Sequence, residues 1–161
     1  MFWVKKKLFF TLCVMVLLLA AGFGLRAGMC EEAAYNTGVE SRKILQCVTN
    51  VLGQDLKYPA AKQPEVTCLK VTIPPGRETG WHTHSVPGYA YVVSGELTLE
   101  YAGGLVKTFK EGDAFAEVVN TPHNGANKGA ADVVLVAFFT GDRGVPFTAK
   151  QTKPEPEPAL K

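Results

Sequence analysis

GRETGWHTHSVPGYAYVVSG, residues 76–95, is the stretch on which the fold turns. It opens on Pro74-Pro75-Gly76, which breaks whatever strand precedes it, and turns again at Pro87-Gly88 and Ser94-Gly95. Between those breaks lie two short extended runs, Trp81 to His84 and Tyr89 to Val93, too brief for helices and rich in aromatic and β-branched residues. His82 and His84 are two apart on one such run. Side chains at that spacing leave an extended chain by the same face, with Cα atoms roughly 6.5 Å apart.

Outward from this stretch the pattern repeats. Glu65 to Ile73 reads as a firm strand. Glu96 to Tyr101, with Leu97 and Leu99 alternating against Thr98 and Glu100, reads as a half-buried one. Ala102-Gly103-Gly104 connects it to Leu105 to Phe109, and Glu111-Gly112-Asp113 turns into Ala114 to Val119. Asn120-Thr121-Pro122 interrupts before His123, and Asp132 to Thr140 is an apolar run suited to burial on both faces. Turns at such short intervals predict an all-β sandwich or closed barrel, which leaves few strand edges free to aggregate.

The 161 residues leave room for one modest domain once the ends are set aside. At the N-terminus Lys5-Lys6-Lys7 precede an uncharged run from Leu8 to Leu25, the basic and apolar regions of a secretory signal. Residues 1–29 are therefore expected to be a signal peptide or an N-terminal membrane anchor, with lipidation at Cys30 after Met29 as a further alternative. Export to the periplasm or cell envelope follows, with membrane contact only through that segment if it stays uncleaved. Residues 30–63 form an N-terminal segment in which Ile44, Leu45, Val48 and Leu52 predict a short helix over Arg42 to Leu52, stopped by Gly53. The β-barrel is placed at 64–147. Residues 148–161, with Pro154, Pro156 and Pro158 among charges, are expected to be a disordered tail. Cys47 and Cys68 are either a disulfide suited to an oxidising compartment or two free thiols.

The formal net charge is +2, and without Lys5, Lys6, Lys7 and Arg26 the body comes to −2. Its bases are scattered, with no aromatic-interleaved basic stripe, so nucleic acid is not an expected partner.

Three histidines are the whole complement of the chain, and two of them stand in H-x-H. Imidazole nitrogens bind first-row metals at about 2.0–2.1 Å, and a strand pair plus one ligand from elsewhere makes a facial set around a cation. Either that, or the pattern is a surface accident.

The flanks resemble the two motifs of the cupin superfamily. In the first, G-x5-H-x-H-x(3,4)-E-x6-G, Gly76, His82, His84 and Gly95 stand in their places. Gly88, or Tyr89 under the alternative spacing, occupies the position of the usual carboxylate ligand. In the second, G-x5-P-x-G-x2-H-x3-N, Gly112, His123 and Asn127 match, while Val118 and Asn120 replace the proline and inner glycine. The likeness spans Glu65 to Phe139 and implies a small single-domain bacterial cupin, a jelly-roll barrel with a divalent metal inside one end. His82, His84 and His123 are the ligands it implies. Without the glutamate the site is similar to the three-histidine thiol-dioxygenase branch. Iron is then the expected ion, with manganese, nickel, copper or zinc as alternatives.

The resemblance further implies a metal-dependent enzyme, an oxygenase or relative, acting on a small molecule. The alternative is a cupin that binds metal or a small ligand without turnover. Glu117, an acid among Ala114, Phe115, Ala116 and Val118, is the candidate to replace the missing carboxylate as ligand or general base. Otherwise it faces outward or forms an ordinary ion pair. Asn127 either steadies the loop around His123 or caps its own turn. Trp81, Phe115, Phe138 and Phe139 either wall a pocket or belong to the core. Tyr89 and Tyr91 share the face turned away from the metal, a face on which a homodimer contact is plausible because cupins commonly pair.

Overall fold

The computed structural model describes residues 38–155. The leader, Cys30 and the last part of the tail fall outside the described residues. Among the described residues nine strands, all in the compact unit that begins at Lys43, build two antiparallel sheets. They are β1 (Pro64–Ile73), β2 (His82–His84), β3 (Gly88–Ser94), β4 (Glu96–Tyr101), β5 (Val106–Lys110), β6 (Ala114–Ala116), β7 (His123–Asn127), β8 (Val133–Asp142) and β9 (Thr148–Lys150). One sheet runs β1-β8-β3-β6 and the other β5-β4-β7-β2-β9. No helix occurs among the described residues.

The sheets share one core because each presents its alternate residues to the other. Ile73 of β1, Val92 of β3, Phe115 of β6 and Val133, Leu135, Ala137 and Phe139 of β8 meet Leu97, Leu99 and Tyr101 of β4. This is a two-sheet jelly roll, of the all-β class that the turn-punctuated sequence predicts and of the form that the motif resemblance implies. Gly95 shows why the β3–β4 turn needs glycine. Its φ is +80°, and a Cβ there would lie 2.7 Å from the Asp132 carbonyl oxygen.

Four expectations are corrected. Arg42 to Leu52 is not helical: Thr49 bridges to Asp55, and Asn50 Oδ1 accepts from the Leu52 and Gln54 amides at 3.0 and 3.1 Å. An asparagine side chain that captures amides in this way competes with the helical ladder. The Val51 amide is drawn instead to the Ala116 carbonyl at 3.2 Å, which leaves Val48 80% exposed.

The second correction concerns β8, which is buried on one face only. Val133, Leu135, Ala137 and Phe139 point inward, while Phe138 is exposed on the outer face between Cys68 and Tyr89. A continuous apolar run cannot report by itself that its second face lacks a covering layer.

Third, the tail begins later than expected. Residues 148–150 form β9 and pair with β2. Thr148-Ala149-Lys150 passed for the start of the tail because three residues of edge strand carry almost no hydrophobic signal. Fourth, the run expected to extend to Val119 ends as β6 at Ala116, and His123 to Asn127, not foreseen as a strand, is β7.

Cys47 and Cys68 are both free. No helix among the described residues is long and apolar enough to cross a membrane.

Candidate metal centre

The register of the five-stranded sheet assembles the three histidines. His82 of β2 stands directly opposite His123 of β7, and His84 lies two residues on, on the same face. The ring centroids are 4.3 Å apart for His82 and His123 and 5.0 Å for each of the other two pairs. One ligand atom from each lies within 4.8 Å of the others, so the trio could hold a metal ion.

Each ring is held by a backbone carbonyl. His82 Nδ1 donates to Gly80 at 2.8 Å, His84 Nδ1 to Phe147 at 3.2 Å and His123 Nδ1 to Thr121 at 2.9 Å. A carbonyl oxygen can only accept, so each Nδ1 carries a proton, and in the neutral ring Nε2 keeps its lone pair. That is the tautomer a metal requires, with ring orientation fixed from behind. Burial, reinforced by the charges of His123 and His82, brings the His84 pKa down to about 3. Burial, reinforced by His82, brings that of His123 to about 4 against the bond to the Thr121 carbonyl. Both rings are therefore neutral at ordinary pH, and their lone pairs are available.

The two histidine segments are also tied to each other. The Asn120 amide donates to the His84 carbonyl at 2.8 Å, and the Ala102 amide, just after β4, secures the approach to His123 by donating to Pro122 at 2.8 Å. Asn120 stands where the second motif has its inner glycine, and its φ is +56°. Asparagine tolerates the left-handed region better than other side chains, so the departure from the motif preserves the turn that delivers His123.

Glu117 turns inward. It is buried, and its Oε2 lies 3.9 Å from His123 Nε2 with no hydrogen-bond partner among the described residues. Burial pushes its pKa up to about 7. Its amide donates to the Gly88 carbonyl at 2.8 Å, and its Cβ lies 3.3 Å from where a Cβ at Gly88 would stand. A side chain at position 88 would also strike the Phe139 ring at 2.5 Å, so Phe139 fills the place the missing glutamate would occupy. The carboxylate thus reaches the histidines from the segment just after β6, the strand that pairs with β3, rather than from β3 itself. An orphaned, buried carboxylate oxygen beside three inward Nε2 atoms fits a bound divalent cation.

The structure separates the other candidates. Trp81 and Phe139 line a cavity of about 280 Å³ that opens on the histidines, together with Leu69, Val71, Leu97 and Leu99. Phe115 stacks on Phe109 at 4.0 Å in the core, and Phe138 lies outside. Tyr89 and Tyr91 fall on the outer side of β3, between buried Gly88, Ala90 and Val92. Asn127 does not reach His123: its Nδ2 donates to Ile73 and Ala131, and its Oδ1 accepts from Gly129. It clamps its own turn to the end of β1.

Tyr101 was not singled out from the sequence. It is 1% exposed, opposes His123 in register, and its hydroxyl has no hydrogen-bond partner among the described residues. Burial and the neighbouring Glu117 both raise its pKa. The signal was present, since the alternation that turns Leu97 and Leu99 inward continues to Tyr101.

Residues 69–139 match the family model described as the cupin domain. No curated protein matches the chain. Among solved structures, a cupin domain from Bordetella pertussis Tohama I is 28% identical, over 47% of this chain and 80% of that one, with a TM-score of 0.43. An uncharacterized conserved protein with a double-stranded β-helix domain from Klebsiella pneumoniae is 21% identical, over 59% and 90%, with a TM-score of 0.48. A structure from the DMSP lyases RdDddP and RnDddQII is 18% identical over 54% of this chain, with a TM-score of 0.47, and the match spans 44% of that chain's length.

Proposed function

We propose that this chain, which belongs to the cupin superfamily through residues 69–139, is a metal-dependent enzyme acting on a small molecule. His82, His84 and His123 would hold a divalent cation, with iron the favoured ion. Three protein ligands leave positions free, and a bound ion there would polarise a substrate oxygen or, as iron, activate dioxygen. The observation that carries the reading is the convergence of three backbone-anchored imidazoles on one apolar cavity, beside a buried carboxyl whose Oε2 has no hydrogen-bond partner among the described residues.

The chain's own residues supply the rest. The carbonyls of Gly80, Phe147 and Thr121 fix the rings, so little reorganisation accompanies ligand binding. Leu97, Leu99 and Phe139 keep water from the cavity wall, which strengthens every polar contact inside. Glu117, with a pKa near neutrality, is suited to take a proton from a bound molecule and return it.

The leader, with its basic and apolar regions, supports action outside the cytoplasm. The outer face bearing Tyr91 and Phe138 is the surface on which a homodimer would form.

Metal analysis of the purified chain, followed by oxygen uptake with thiols, phenols and small carbonyl compounds, tests the reading. Glu117→Gln is expected to keep the metal and lower turnover by about 100-fold or more, the scale of general acid–base catalysis. A chain that loads metal yet turns over nothing in the panel would favour the binding-protein reading. One that stays metal-free under all loadings removes the proposal.

A further inference from the structure

The cavity facing the histidines is walled mostly by aliphatic and aromatic side chains, and apart from the histidines its charged lining residues are Glu117 and Lys150. Lys150 arrives on β9, where it pairs directly with His82, while Thr148 pairs with His84. Residues opposed on neighbouring antiparallel strands leave by the same face. The register therefore delivers Lys150 and Thr148 to the face that carries the imidazoles, and both line the cavity. Ala149, opposite Thr83, takes the other face.

Two backbone links hold β9 there: the Gln151 amide donates to Trp81 at 2.8 Å, and Ser85 donates to Phe147 at 3.3 Å. The Lys150 ammonium makes no hydrogen bond or ion pair among the described residues, unlike Lys153, which approaches Glu100 at 3.9 Å. Thr148 and Lys150 are exposed at the mouth of the cavity, where the ammonium can meet an anion that enters from solvent.

We propose that the site takes a small carboxylic acid with an apolar body, its carboxylate held by the Lys150 ammonium and the Thr148 hydroxyl, its body against Leu69, Val71 and Leu97. This names the substrate class for the reading above and rests on it for the use of this cavity.

The full chain, metal-loaded and chelator-treated, is titrated calorimetrically with hexanoate and 3-phenylpropionate and with their uncharged amides. The acids are expected to bind about tenfold or more tightly than the amides, the scale of a hydrogen bond to a charged group. Lys150→Gln removes that difference by weakening the acids alone, and Lys150→Arg retains most of it. Equal affinity for acid and amide, acid binding indifferent to Lys150→Gln, or no binding of any acid overturns the inference. Acid binding that depends on Lys150 in a chain that never loads metal sustains it while the metal reading fails. A loaded metal with acid binding indifferent to Lys150 does the reverse.

Discussion

The two sheets hold together by different means. In the four-stranded sheet β1 and β8 pair over ten successive positions, from Pro64 with Asp142 to Ile73 with Val133, and the inner residues of both enter the core. In the five-stranded sheet the strand that bears two histidines has three residues, meets β7 at the single pair His82 and His123, and meets β9 at three pairs. There the ladder is thin, and position is fixed by individual bonds: three Nδ1 groups on carbonyls, Asn120 on His84 and Gln151 on Trp81. Stability that rests on area is spread over many residues, whereas precision that rests on single bonds can be lost at one.

Substitutions should divide along the same line. His123→Ala is expected to reduce bound metal to background, measured by elemental analysis, while circular dichroism stays that of a folded β-protein. Retention of metal would mean that the β2–β7 pair is not the site. Leu135→Ala, on the inner face of β8, should cost about 2–5 kcal/mol in chemical denaturation through the cavity it leaves. The surviving folded fraction should still bind metal. A large metal defect there would erase the distinction between the sheets.

Acidity probes the same contrast in metal-free protein. His84 and His123 have folded pKa values of about 3 and 4, below the ordinary 6.5, so between those limits the unfolded chain binds more protons. Their contribution is whole above about 6.5 and is lost as pH falls toward 3 to 4. Glu117 acts oppositely: raised from 4.5 to about 7, it favours the folded state below 4.5 and loses that contribution as pH rises through 7. Two histidines against one glutamate predict a net fall in stability of a few kcal/mol on acidification from pH 6.5 to 4.5. Urea titrations should find that fall diminished in His84→Gln. A flat profile in the parent chain would contradict the neutral, buried state of the rings.

The smallest effect is expected from ending the chain at Phe147. This keeps the carbonyl that holds His84 and removes β9 from the edge of β2. Metal affinity should drop by about tenfold, as when an outer support of a ligand is removed, with little change in the melting temperature. A fall in melting temperature of tens of degrees would place β9 in the cooperative core instead.

Much of this site was legible because its residues declare themselves. His82 and His84 announce a shared face by spacing, and the motif glycines that frame them are needed for turns, as Gly95 demonstrates. Glu117 stood out as an acid among apolar neighbours, although Pro122 between it and His123 broke any reckoning of which way it faced. Tyr101 lay within a visible alternation and was overlooked because a buried tyrosine looks like core.

Local pattern determines which residues are extended, where turns must fall and which side chains share a face, since those follow from backbone sterics and a period of two. It determined here an all-β chain of short strands with three histidines on offer. Only the folded chain could decide that Phe139 fills the place of the absent glutamate and that Glu117 approaches from the segment after the adjoining strand. The same holds for the capture of residues 148–150 as an edge strand that carries Lys150 to the cavity. Those outcomes depend on which strands lie side by side and in what register, and pairing across tens of residues leaves no mark in local composition.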